Sequence, residues 1–155
     1  MTMWESEDDR GRERAAFGYI QEKTGAEIVK LPKTYTVDFA AQRDGKVVSF
    51  GEYKYRNMVW GDYKTIVLSL KKFLAATSLY HTTMYRTYLY IEDKNSDIRF
   101  ADITTTPSLT GAPHTVSIGG RTKLTRDFND IEPVCHIHIN HFSKLGVRNA
   151  TDTDQ

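Results

Sequence analysis

Asp38, Glu52 and Lys54 are the residues of this chain whose types and spacing suit chemistry best, with thirteen residues between the two acids. They lie in the stretch 35–56, two alternating runs broken by Asp44-Gly45, a pair that reads as the turn of a β-hairpin. A period of two along the second run puts Val48, Phe50, Glu52 and Lys54 on one face, and Val47, Ser49, Gly51, Tyr53 and Tyr55 on the other. Asp38 sits between Val37 and Phe39, among residues chosen for burial. A charge there costs roughly several kcal/mol unless it is paired or binds a metal. Two carboxylates and a lysine converging at a strand end form a site for a hard divalent cation that prefers oxygen ligands and keeps some of its waters. Mg²⁺ is the expected ion, with Mn²⁺ as a substitute.

Register decides whether the acids meet. A two-residue loop at Asp44-Gly45 sets Asp38 opposite Gly51 and sends its carboxylate to the other face from Glu52. A three-residue loop with Gly in the left-handed position sets Asp38 against Glu52 or Phe50, on one face. Acids that work together therefore require the odd-length loop or a bulge.

The elements that must hold this hairpin follow from periodicity. Residues 5–24 read as a helix, with Ser6, Glu7, Asp8 and Asp9 suited to its N-terminal dipole and Gly25 as its stop. Its apolar stripe is Ala16, Phe17 and Ile20, and Glu13 begins that face. A lone Glu at a stripe's edge is more commonly a solvated acid. Residues 26–31 form a short strand or extended link closed by Pro32, and Asp62 is the expected N-cap of a helix running to about Tyr80. One face of that helix carries Ile66, Val67, Leu70, Phe73 and Leu74, and a second carries Leu68, Ala75, Ala76 and Leu79, with Lys72 in its middle. A lysine so placed either snorkels or works, and Lys71 or Lys64 are alternatives for the role. Further strands are expected at 83–92, 98–104, 114–118 and 134–142. A strand that follows a long helix is a crossover strand, placed in the same sheet next to the hairpin. The fold class is α/β: a mixed central sheet of about five strands flanked by the two helices. Tyr80, Tyr85, Tyr88 and Tyr90 are read mainly as core, although aromatics interleaved with Arg86 also suit stacking on bases.

Asp38 followed by Glu52-Tyr53-Lys54 resembles the D…(D/E)xK signature of the PD-(D/E)XK, or restriction-endonuclease-like, nucleases, with Val37 where the family's name has Pro. Small phage proteins assigned to that superfamily carry a similar tail, in which a Gly-Gly-Arg stretch, here 119–121, precedes an acidic segment ending in Glu132-Pro133-Val134. The resemblance runs from Glu13 to about Phe142. It implies Mg²⁺-dependent hydrolysis of a phosphodiester, most readily of DNA, by an endonuclease. Asp38 and Glu52 would bind the metal, with the Tyr53 carbonyl as a further ligand, and Lys54 would serve the attacking water or the transition state. It also implies an auxiliary glutamate on the first helix, here Glu13, and a lysine on the helix after the motif, here Lys72. Lys71, Arg56 and the basic residues Arg121, Lys123 and Arg126 are expected phosphate contacts, which position a nucleic acid without reading it. Cutting both strands often uses two sites, which makes a homodimer an expectation.

Composition narrows the alternatives. The chain of 155 residues is long enough for one domain with a core, taken as 1–148, and residues 149–155 are a polar tail. A net charge of +1 gives no overall attraction to nucleic acid, so any attraction comes from local placement. The single Cys135 excludes an internal disulfide and fits a reducing cytoplasm, that of the host if the chain is phage-encoded. No apolar run approaches the roughly 18 residues of a membrane span. Two other functions stay open: a nucleic-acid-binding module on the same fold with inactive acids, and a metalloenzyme built on His136 and His138. That pair shares one strand face and would hold zinc, manganese or iron if further ligands converged. A half-exposed strand with Cys135, Ile137 and Ile139 inward is the commoner meaning of such a pattern.

Overall fold

A computed structural model of the chain describes residues 7–104, 115–119 and 131–148. Helix α1 (Glu7–Thr24) buries Ala16, Tyr19 and Ile20, with Phe17 packed beside them. It stops at Gly25, whose φ of 73° is the left-handed conformation glycine adopts freely and whose N–H donates to the Gln21 carbonyl at 2.9 Å. Strands β1 (Glu27–Lys30), β2 (Phe39–Arg43) and β3 (Lys46–Tyr55) follow as an antiparallel meander. The chain then makes β4 (Thr65–Ser69), α2 (Leu70–Thr83), β5 (Arg86–Glu92) and β6 (Asp97–Asp102), and, in the last described segments, β7 (Thr115–Gly119), β8 (Glu132–His138) and β9 (Ser143–Val147).

The mixed α/β sheet expected from sequence is present with six strands, ordered β1-β2-β3-β5-β6-β9. Strands β3 and β5 pair in parallel, as the crossover requires, and the other neighbours are antiparallel. A second, three-stranded sheet, β4-β8-β7, was not anticipated.

It arises where the expected helix from Asp62 fails. Thr65-Ile-Val is a β-branched run that pairs with β8, and the helix begins only at Leu70. Ser69 is the N-cap, its Oγ accepting from the Lys71 N–H at 3.2 Å, while Asp62 instead accepts from the Val59 N–H in a turn. Leu68 is therefore a buried strand residue, Leu74 is exposed, and α2 buries Phe73 and Ala76. The last expected strand also ends early, at His138. A short 3-10 turn at Ile139–His141 redirects the chain into β9, on the edge of the large sheet.

The alternation of β3 and β5 divides the interior. Phe39, Tyr53, Tyr90 and Ile98 meet α1 on one face of the large sheet. On the other face Leu89, Ile91, Ala101 and Ile103 meet α2 and the inward residues Ile66, Leu68, Cys135 and Ile137 of the small sheet. Tyr90 is core, as expected, whereas Tyr85 is exposed.

Gly51 lies directly beneath the Phe39 ring, and a Cβ built there would fall within that ring. Gly51→Ala should therefore overpack the first core and destabilise the protein by about 1–3 kcal/mol. A lowered midpoint of urea unfolding with an unchanged slope would show it.

Candidate functional site

The hairpin turn has two residues, Asp44 and Gly45, both at positive φ. Such a loop alone would separate the acids. The register, however, shifts by one between Ala41 and Gln42, so that Arg43 pairs with Lys46 while Phe39 pairs with Gly51. The next residues along the two strands are then Asp38 and Glu52, the outcome expected of a bulge. Strand β2 begins at Phe39 rather than Tyr35, because Pro32–Tyr35 closes a turn. Asp38 is held just outside it by three bonds. Its N–H donates to the Gly51 carbonyl at 3.0 Å, its carbonyl accepts from the Leu31 N–H at 2.9 Å, and its Oδ2 accepts from the Tyr53 N–H at 2.8 Å.

Glu52 is 1% exposed. Burial, and after it the nearby Asp38 charge, raise its pKa from 4.5 to about 7, against the opposing pull of Lys72 and Lys54. Lys72 Nζ lies 3.1 Å from Glu52 Oε1, and Lys54 Nζ lies 3.7 Å from Oε2. Oε1 is nonetheless a buried oxygen without a hydrogen bond, since the Lys72 ammonium approaches it off the hydrogen-bonding directions. That ammonium donates to the Thr36 carbonyl at 2.5 Å. The structure thus gathers Asp38, Glu52, Lys54 and Lys72 on the α2 side of the large sheet.

Tyr53 faces the other way. Its hydroxyl donates to the buried Glu92 at 2.8 Å, which also receives the Arg148 guanidinium at 2.9 Å. Burial, followed by the neighbouring Glu92 charge, pushes the Tyr53 hydroxyl pKa well upward. Sequence reasoning missed Glu92, which ends the alternating run Tyr88-Leu-Tyr90-Ile-Glu92 much as Glu52 and Lys54 end theirs. It also missed Thr36, whose part is played by a backbone carbonyl and leaves no trace in residue type.

Glu13 pairs with Lys30 at 2.5 Å. Lys71 is exposed on the first turn of α2, and Arg56 donates to the Val67 carbonyl at 3.1 Å. Arg121, Lys123 and Arg126 lie outside the described residues. His136 Nε2 is 2.7 Å from Ser117 Oγ, and His138 Nδ1 accepts from the Asn140 N–H at 3.1 Å. Cys135 and Ile137, which alternate with them along β8, point inward.

Among the described residues no three His, Cys, Asp or Glu side chains converge on one point. Asp38 and Glu52 offer two carboxylates, a number that suits Mg²⁺, which commonly takes one or two and keeps several waters. Glu52 Oε1, buried with no well-directed hydrogen bond and only the Lys72 ammonium beside it, is the kind of donor such an ion would use.

The chain is similar in fold to a Holliday junction resolvase from the archaeal hyperthermophile Archaeoglobus fulgidus, with a TM-score of 0.53 at 12% identity, covering 90% of this chain and 92% of that one. No curated protein matches the chain by sequence. Residues 2–145 match the family described as "Phage putative PDDEXK endonuclease". The sequence signature, the bulged hairpin that presents it and this match across most of the chain agree, and the chain belongs to the phage PDDEXK endonuclease family.

Proposed function

We propose that the protein is a divalent-metal-dependent endonuclease that hydrolyses phosphodiesters of DNA in the host cytoplasm. The observation that carries this reading is the buried Glu52 carboxylate beside Asp38, flanked by two lysine ammonium groups. Asp38 and Glu52 would hold Mg²⁺ or Mn²⁺, with the Tyr53 carbonyl as a further ligand. A divalent ion held there supplies Lewis-acid polarisation of the phosphoryl oxygen and a more acidic water.

The chain's own residues do the rest. Asp38 is oriented by the Tyr53 amide, so its carboxylate is fixed before substrate arrives. Lys54, partly exposed beside Glu52, orients the attacking water or neutralises charge that grows on the phosphate in the transition state. Lys72, anchored on Thr36, balances Glu52 in the free protein and contacts phosphate in the complex. Glu13 is the auxiliary acid, which would leave Lys30 to serve the ion held by Asp38 and Glu52, directly or through a water. Lys71 and the basic segment 121–126 supply positioning contacts to the backbone, and a homodimer serves cleavage of both strands.

Purified protein incubated with labelled duplex, branched and single-stranded DNA, in Mg²⁺, Mn²⁺ or EDTA, tests this directly. The fold neighbour is itself a Holliday junction resolvase, so four-way junctions belong in the panel. Cleavage that needs metal and disappears in Asp38→Ala is the expected result. Metal-independent binding with no cleavage of any form would replace the proposal with a DNA-binding module.

A further inference from the structure

Past Tyr55, the last residue of β3, the chain frames a cleft of about 410 Å³ against β4, lined among others by Arg56, Met58, Tyr63, Lys64, Val67 and His136. The size falls in the range of small-ligand sites, roughly 300–1,000 Å³. Arg56 continues the alternation of β3, since its N–H donates to the Glu92 carbonyl at 2.9 Å. Its side chain therefore leaves on the Glu52 and Lys54 face, about 7 Å farther along at ~3.3 Å per residue.

The lining has a chemical character. The Arg56 guanidinium is half-buried, its one side-chain bond among the described residues is to the Val67 carbonyl, and burial lowers its pKa with no carboxylate to offset it. A cation in that position gains from an anion. Lys64 stands exposed at the cleft. Tyr63 is 63% exposed and its ring joins neither core. Two cations and a free aromatic ring beside a phosphodiester site match the way single strands are bound, by phosphate contacts and base stacking.

Building on the DNA-cleaving function proposed above, we propose that this cleft holds one unpaired nucleotide of the substrate strand, with Arg56 and Lys64 on its phosphates and its base stacked on Tyr63. A base in an intact duplex must unpair to enter, so flaps, junctions and single strands are favoured over continuous duplex.

Anisotropy titrations of the full chain in EDTA, with a short labelled single strand and an abasic strand of equal length, test the cleft separately from cleavage. Wild-type protein should bind the base-bearing strand about tenfold more tightly, the order of one base–aromatic stack. Tyr63→Ala should erase that preference while keeping the abasic affinity, and Tyr63→Phe should restore it. Lys64→Ala should weaken both strands alike and reduce the salt dependence by about one phosphate contact. A preference that survives in Tyr63→Ala, or is missing from the wild type, overturns the cleft assignment. Metal-dependent cleavage can stand in that case, whereas a Tyr63-dependent preference without any cleavage would overturn the nuclease reading and keep the cleft.

Discussion

Lys54→Ala should lower the cleavage rate by about 10²–10³-fold or more while leaving fold and DNA affinity nearly unchanged. Its ammonium lies 3.7 Å from Glu52 and its side chain is 35% exposed, so the residue contributes little to packing. Removing it takes away a positive charge aimed at the reacting phosphate and lets Glu52 hold its proton to still higher pH. Single-turnover cleavage, with binding measured separately, distinguishes the two parts. A wild-type rate in this variant would rule out the proposed mechanism, because no other role assigned to Lys54 survives that result.

Glu52→Gln should remove cleavage and at the same time make the metal-free protein more stable at pH 8. In the folded chain the carboxyl holds its proton up to about pH 7, against 4.5 when unfolded. A raised acid of this kind contributes stability that is complete below pH 4.5 and is lost as pH rises through 7. At 1.36 kcal/mol per pH unit, that window corresponds to roughly 3 kcal/mol at most. Gln keeps the shape without the charge, so the melting temperature at pH 8 in EDTA should rise by about 5 °C. The gain should vanish near pH 4, where Glu52 is protonated in both states. Added Mg²⁺ should stabilise the wild type at pH 8 and leave Glu52→Gln unmoved. Equal melting temperatures of the two proteins at pH 8 in EDTA would contradict this account of the buried acid.

How far the fold could be read from sequence depended on the range of the deciding contact. Asp44-Gly45 between alternating runs is a local signal, and the hairpin is where it was expected. Gly25 ended α1 for an equally local reason, its positive φ. Thr65-Ile-Val-Leu-Ser runs without a break into the apolar residues of α2, and such a run suits helix or strand alike. Its partner in β8 lies about seventy residues away, beyond the reach of any short-range signal. Lys72 is legible even though α2 starts at Leu70 rather than near Asp62, because its place after the motif does not depend on the helix's first residue. The candidate site is legible in its acids and lysines, side chains of distinctive type that the fold brings together. That the two acids need an odd-length loop or a bulge follows from the strand period, but nothing in residue type marks the bulge at Ala41 and Gln42, and Thr36 takes part through its backbone alone.

The bond from the Tyr53 amide to the Asp38 carboxylate also makes one proton a witness to the whole site. Most amides of β3 are satisfied by neighbouring backbone, whereas this one is tied to a side chain proposed to bind metal. Its NMR resonance and its exchange with deuterium should therefore respond to occupancy of the site even when no bond is cut. An inactive variant, a tight product complex and an empty site, which look alike in a cleavage assay, would be told apart by a single peak.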